Sequence, residues 1–237
     1  MSALSGKNAL VLGGSRGIGA AIVRRLAADG ADVTFTYSGS HDAAQALAQE
    51  LGSKALRADS ADQPAVRQVV ADQGPLDILV VNSGVVSFGS AIELEPAEID
   101  RLIDINVRAP YFAAAEAAKK MRDDGRIVFI GSVNGDRVPF DGITAYALSK
   151  SAIQGLTRGL ARELGSRNIT VNNVQPGPVD TDMNPADGPM KDMMHAGMAI
   201  KRHARTDEIA AMVAYLVGPD ASIVTGAQHT IDGGFGA

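Results

Sequence analysis

Tyr146-Ala147-Leu148-Ser149-Lys150 sets a phenol and an amine one helical turn apart, on one face of any helix that carries them. A phenol with its ordinary pKa of about 10 is a poor acid or base at neutral pH. A neighbouring ammonium stabilises the phenolate and draws that value toward the working range, so the pair is suited to passing a proton to or from a reacting oxygen. Alone, this spacing is more often an exposed helix contact, and it gains weight only if other residues share the task. Two do. Ser132 follows the apolar run Ile127-Val128-Phe129-Ile130 and stands at the carboxyl end of an expected strand, where a hydroxyl can hold a substrate carbonyl. Asn106, between Ile105 and Val107, is polar in an apolar setting. It is read as a helix-distorting residue bonded to backbone, as a member of a proton relay, or as both.

A second set of residues points to phosphate. Gly13-Gly14-Ser15-Arg16-Gly17-Ile18-Gly19 joins an apolar run to a stretch of helical periodicity. Glycines there permit a tight turn, close approach of a pyrophosphate and close packing of helix on strand, and the helix start aims free N–H groups at the phosphates. Proteins specific for NAD usually put an acid at the end of the second strand, against the ribose 2'-hydroxyl. Phe35-Thr36-Tyr37-Ser38-Gly39-Ser40 offers none. Arg16 with the hydroxyls of Ser38 and Ser40 instead suits a 2'-phosphate, which favours NADP over NAD.

The elements that must position these groups alternate along the chain in the pattern of a parallel sheet covered by helices on both faces. Strands are expected at 9–12, 33–37, 54–57, 76–81, 126–130, 170–174 and 228–231, and helices at 18–29, 42–51, 63–72, 96–121, 145–165 and 207–217. No linker or repeat divides residues 1–237, so one doubly wound domain is expected. The stretch 176–203, rich in Pro, Gly, Asp and Met, reads as irregular and, following a strand's carboxyl end, as a substrate lid.

Composition excludes other classes. With no Cys there is no thiolate chemistry and no disulfide scaffold, which suits a cytoplasmic setting. A net charge of -5 argues against a broad surface for nucleic acid or anionic lipid. Neither a signal peptide nor a membrane span is apparent, no metal site is expected, and the chain has no Trp with which to build stacking platforms.

Taken in order, these residues resemble the short-chain dehydrogenase/reductase family over almost the whole chain. The resemblance implies a Rossmann-type, seven-stranded α/β fold, a dinucleotide cofactor, a small carbonyl substrate, and a homotetramer or homodimer. The catalytic set it implies is Asn106, Ser132, Tyr146 and Lys150. The cofactor set is Gly13, Ser15, Arg16, Gly17, Ile18 and Gly19 of the glycine motif, then Tyr37, Ser38, Asp59 and Ser60, then Asn82-Ser83-Gly84. Tyr146, Lys150, Pro176, Gly177, Val179 and Thr181 complete it, and Asp232-Gly233-Gly234 matches the family's closing motif. Leu12 and Val81 depart from the family, which often has Thr and Asn there, and each is expected to lose a structural hydrogen bond. The sequence is similar to 3-oxoacyl-carrier-protein reductases. A nearer likeness is to the branch that binds cyclic di-GMP and mediates biofilm dispersal, carried by 131–137, 175–178 with 180–182, 200–203 and 229–232. That branch implies a different use of the crevice, with cyclic di-GMP as ligand. An Arg-x-x-x-Arg spacing at Arg158 and Arg162 is weak support, since helix arginines are ordinarily solvated.

Overall fold

Central strands of a sheet covered on both sides must be apolar on both faces, and here they are. Along β1 (Asn8–Leu12), Val11 enters one core while Leu10 and Leu12 enter the other. β4 (Ile78–Val81) and β5 (Arg126–Ile130) repeat the alternation, Val80 and Val128 on the first side, Leu79, Val81, Ile127 and Phe129 on the second. The computed structural model describes residues 2–237. β2 (Asp32–Tyr37), β3 (Lys54–Arg57), β6 (Thr170–Pro176) and β7 (Gln228–Ile231) complete a seven-stranded sheet, parallel throughout, in the order β3-β2-β1-β4-β5-β6-β7.

One face of the sheet is covered by α1 (Gly17–Ala28), α2 (His41–Leu51) and α8 (Thr206–Val217). The other is covered by α3 (Gln63–Ala71), α5 (Ala109–Lys120) and α6 (Thr144–Leu164). The chain leaves β3 at one edge and returns to the middle as β4, beside β1. At such a reversal the loops after the two central strands part, and a crevice opens at their carboxyl ends.

Every expected strand is present, with ends shifted by at most two residues. Two expectations need correction. The single helix over 96–121 is in fact α4 (Pro96–Ile103), a π-helical turn (Asp104–Arg108) and α5. Pro110 lacks the N–H that a continuous α-helix would give to the carbonyl of Asn106, so the ladder is broken there. Nor is 176–203 wholly irregular. It contains α7 (Lys191–Ala196), too short to show a helical period, and its ends are tied by a bridge between Val179 and Ala204. Among the described residues, no helix is long and apolar enough to cross a membrane.

Candidate active site

The crevice is a cleft of about 740 Å³ along the carboxyl ends of the sheet. Its first wall is backbone. Gly13 has φ +77, and a Cβ there would come within 2.8 Å of the Ser83 backbone, so the loops after β1 and β4 are pressed together. Thr36 on β2 braces the turn, its hydroxyl accepting from Gly13 N (3.0 Å) and its carbonyl from Gly14 N (2.9 Å). The Asn82 amide donates to the Gly13 carbonyl (2.7 Å), and the N–H groups of Asn82 and Ser83 both donate to the Leu12 carbonyl. The side-chain bonds of this turn come from Thr36 and Asn82, while Leu12 and Val81 pack in the core.

Arg16 begins α1 without a side-chain cap, and the first turn holds no acid, so its N–H groups are left to the crevice. Ser15, Arg16, Gly17 and Ile18 line this end with Tyr37, Ser38, Asp59 and Ser60. No carboxylate stands at the end of β2. Arg16 is exposed and 3.5 Å from Asp182 across the cleft. Asp59 accepts from Ala61 N (3.0 Å) in a turn. Of the roles expected of the glycines, Gly19 takes the packing one and does not itself line the cleft. A Cβ there would collide with the Gly13 carbonyl and the Asn82 amide, so its smallness serves helix-to-loop packing.

At the other end, Ser132, Tyr146 and Lys150 line the cleft together with Pro176, Gly177, Val179 and Thr181. The Lys150 ammonium lies 5.8 Å from the centre of the Tyr146 ring and donates to the Ile130 carbonyl (3.1 Å). Burial lowers its pKa to about 8. Burial also raises the Tyr146 phenol above its ordinary value, with the Ser132 hydroxyl pulling the other way. The expected lowering of the phenol by Lys150 therefore does not appear: both groups sit where charge is poorly solvated, and the amine is bonded to a carbonyl.

Asn106, only 2% exposed, is not on the cleft surface either. Its Oδ1 accepts from Val85 N (2.9 Å), and its Nδ2 donates to the Val85 carbonyl (2.8 Å) and the Ser149 hydroxyl (3.0 Å). The side chain thus bonds to backbone, and does so in the loop after β4 instead of its own helix. Gly84 sits between the two groups, where a Cβ would lie 3.3 Å from Lys150 Nζ and 3.5 Å from Asn106 Oδ1.

Sequence reasoning missed the remaining wall. Phe88, Phe140 and Phe235 line it from three separate segments, and Met183, Met190 and Met194 line it from one more. In the sequence, only the Met content of 176–203 pointed toward this wall. Three of the stretches that carry the nearer likeness make bonds behind that wall, one of them to another such stretch. Gln175 donates to the Ser132 carbonyl (3.1 Å) and Asp136 (2.9 Å), Arg137 donates to the Phe235 carbonyl (2.7 Å), and His203 meets His195 of α7 (2.8 Å). Arg158 and Arg162 lie exposed on α6, outside the cleft.

Comparison with known proteins places this geometry. A family model described as enoyl-(acyl carrier protein) reductase matches residues 13–236. The cyclic-di-GMP-binding biofilm dispersal mediator protein of Escherichia coli is 63% identical, with all of both chains covered. The 3-oxoacyl-(acyl-carrier-protein) reductase MabA of Mycobacterium tuberculosis is 35% identical, over 97% of this chain and 93% of its own. The crystal structure of BdcA in complex with NADPH superposes with a TM-score of 0.97 at 63% identity, covering 99% of this chain and 96% of that one.

Proposed function

The chain belongs to the short-chain dehydrogenase/reductase family of oxidoreductases, and on that premise we propose that it uses NADPH to reduce the carbonyl of a small molecule (a ketone, an aldehyde or a 3-oxoacyl group) to an alcohol. One observation carries the reading. A phenol, a hydroxyl and an ammonium meet at one end of a cleft whose other end is a glycine turn under an open helix start.

The residues present fit the cofactor. A side chain at Gly13 would strike backbone, the α1 N–H groups have no acid to meet, and Ser83 Oγ is buried without a partner at the cleft. Ser15, Gly17 and Ile18 would hold the pyrophosphate, and Arg16 with Tyr37 and Ser38 the 2'-phosphate side. Asp59, Ser60, Asn82, Ser83 and Gly84 would hold the adenosine, and Pro176, Gly177, Val179 and Thr181 the nicotinamide. Bound there, the nicotinamide supplies hydride to the carbonyl carbon.

The protein's own groups do the rest. Ser132 donates to the carbonyl oxygen and orients it. Burial keeps Tyr146 protonated at neutral pH, which is the state an acid needs. The Lys150 ammonium then stabilises the phenolate that remains and holds a ribose hydroxyl. The break at Pro110 withholds an N–H from the Asn106 carbonyl, leaving it for a water that returns the proton. The segment 176–203 acts as the lid. The expected assembly is a homotetramer or homodimer in the cytoplasm. NADPH oxidation with a panel of ketones, aldehydes and diketones tests the reading: Tyr146→Phe should abolish it, and full activity in that variant overturns the acid role.

The E. coli relative's name favours a second reading, a protein that binds cyclic di-GMP in the same crevice and promotes biofilm dispersal. Titration calorimetry with cyclic di-GMP, with and without saturating NADP, separates the two. Undetectable binding rejects this reading, and binding that NADP leaves unchanged puts the ligand outside the crevice, where Arg158 and Arg162 are the first residues to replace.

A further inference from the structure

Resting on the reductase reading, the geometry points to a narrower substrate: an uncharged carbonyl compound with a bulky, flat apolar group, selected by Phe235, which Arg137 holds in place. Three of the six phenylalanines in the chain line the cleft, namely Phe88, Phe140 and Phe235. They come from the loop after β4, the loop before α6 and the segment after β7, so three aromatic side chains from separate parts of the chain line one cleft. Met183, Met190 and Met194 close it with flexible thioethers, which adapt to an aromatic outline better than branched side chains do. Phe88 is 57% and Met183 66% exposed, a large apolar surface left at a cleft mouth.

Charge narrows the class further. The loop 131–143, the segment 176–194 and Phe235 contribute one charged side chain to the wall, Asp182, and that faces Arg16. The other cations on the cleft are Lys150, which donates to the Ile130 carbonyl, and Arg101 of α4, which is exposed to solvent, so neither belongs to the apolar wall itself. Burying an unpaired carboxylate beside phenylalanine and methionine would be strongly unfavourable.

Phe235 is held by devices with no part in proton transfer. The Asp232 carboxylate accepts from Gly234 N (2.9 Å) and Gly236 N (2.6 Å), folding the chain into a turn. Gly233 and Gly234 both have positive φ, and a Cβ on either would lie 2.8 Å from Met198 or Ala199. The turn buries the Phe235 ring against Val133 and Met198. Arg137 then reaches across from the loop that carries Ser132, donating to the carbonyls of Phe235 (2.7 Å) and Ala237 (3.0 Å). Without it, the ring could swing and the cleft would lose its fixed width. Arg137 is a positioning residue, and it should move selectivity more than turnover.

Three substrates isolate the two claims: 1-phenyl-1,2-propanedione, 2,3-butanedione (phenyl replaced by methyl) and benzoylformate (methyl replaced by an anionic oxygen). With NADPH, kcat/KM should fall at least about tenfold from the first to the second, and further to the third. Phe235→Ala and Arg137→Gln should shrink the phenyl-to-methyl ratio mainly through KM, while the NADPH Kd stays within about twofold. Equal kcat/KM for all three substrates overturns the inference, as does a variant that slows the first two by one common factor. Binding of each compound to the NADPH complex, read by quenching of the reduced cofactor's fluorescence, separates failures. Selective binding of the phenyl compound without turnover of any carbonyl would defeat the reductase reading alone, and unselective turnover would defeat the inference alone.

Discussion

The two ends of the cleft are built by different means. At the nucleotide end the work falls to main chain: Gly13 pressed on Ser83, the open start of α1, and carbonyls and N–H groups braced by Thr36 and Asn82. At the substrate end side chains from four distant segments meet, and the backbone behind them is tied by long-range bonds such as that from Arg137 to Phe235. Backbone recognition tolerates no added atom but constrains few side chains. Side-chain recognition is easily varied, which lets a family keep one cofactor and change its substrates.

If the division holds, substitutions at the two ends should fail in different observables. Tyr146→Phe should have the largest effect, roughly a thousandfold loss in kcat with NADPH affinity retained. A comparable rise in the NADPH Kd would show the ends to be coupled.

The burial of Lys150 makes the chemical end sensitive to pH. Its folded value of about 8 lies below the ordinary 10.5, so between these values the unfolded chain holds a proton that the folded one has released. Stability from this group therefore rises with pH across that window, by up to about 3 kcal/mol, and is flat below pH 8. Urea unfolding of the cofactor-free protein on both sides of that value should show a positive slope that Lys150→Met removes. An unchanged slope would mean the amine is better solvated than its surroundings imply.

Gly13→Ala should weaken NADPH binding by about thirtyfold, corresponding to about 2 kcal/mol of backbone strain and loop displacement. Its phenyl-to-methyl selectivity should be unaltered, as a competition assay would show. Arg16→Ala is the mildest, weakening NADPH by about tenfold and NADH little, because one exposed charge-assisted contact is lost. Equal losses would remove the 2'-phosphate from that arginine.

The same division explains what could be read in advance. β1, β4 and β5 are short apolar runs, and Gly13 to Gly19 lies directly between a strand and a helix, so local pattern located both the sheet and the phosphate turn. Tyr146 and Lys150 gained meaning from order along the chain. Asn106 resisted, since its partners at Val85 and Ser149 are remote in sequence and the helix break depends on a proline four residues on. The phenol's raised pKa resisted too, because burial depends on the whole fold. Phe235 was hardest of all: it directly follows the closing motif Asp232-Gly233-Gly234, which does not say where the ring goes, and the arginine that fixes it lies 98 residues earlier.

That separation also sets an order of assembly. During synthesis the chain emerges N-terminus first, and β1 to β4 with the glycine turn are all available once about 85 residues have left the ribosome. The pocket for the reacting molecule has no floor until Phe235 is delivered and Arg137 captures it. The turn that meets the phosphates is thus complete in the chain long before the residues that would meet the nicotinamide and the reacting molecule.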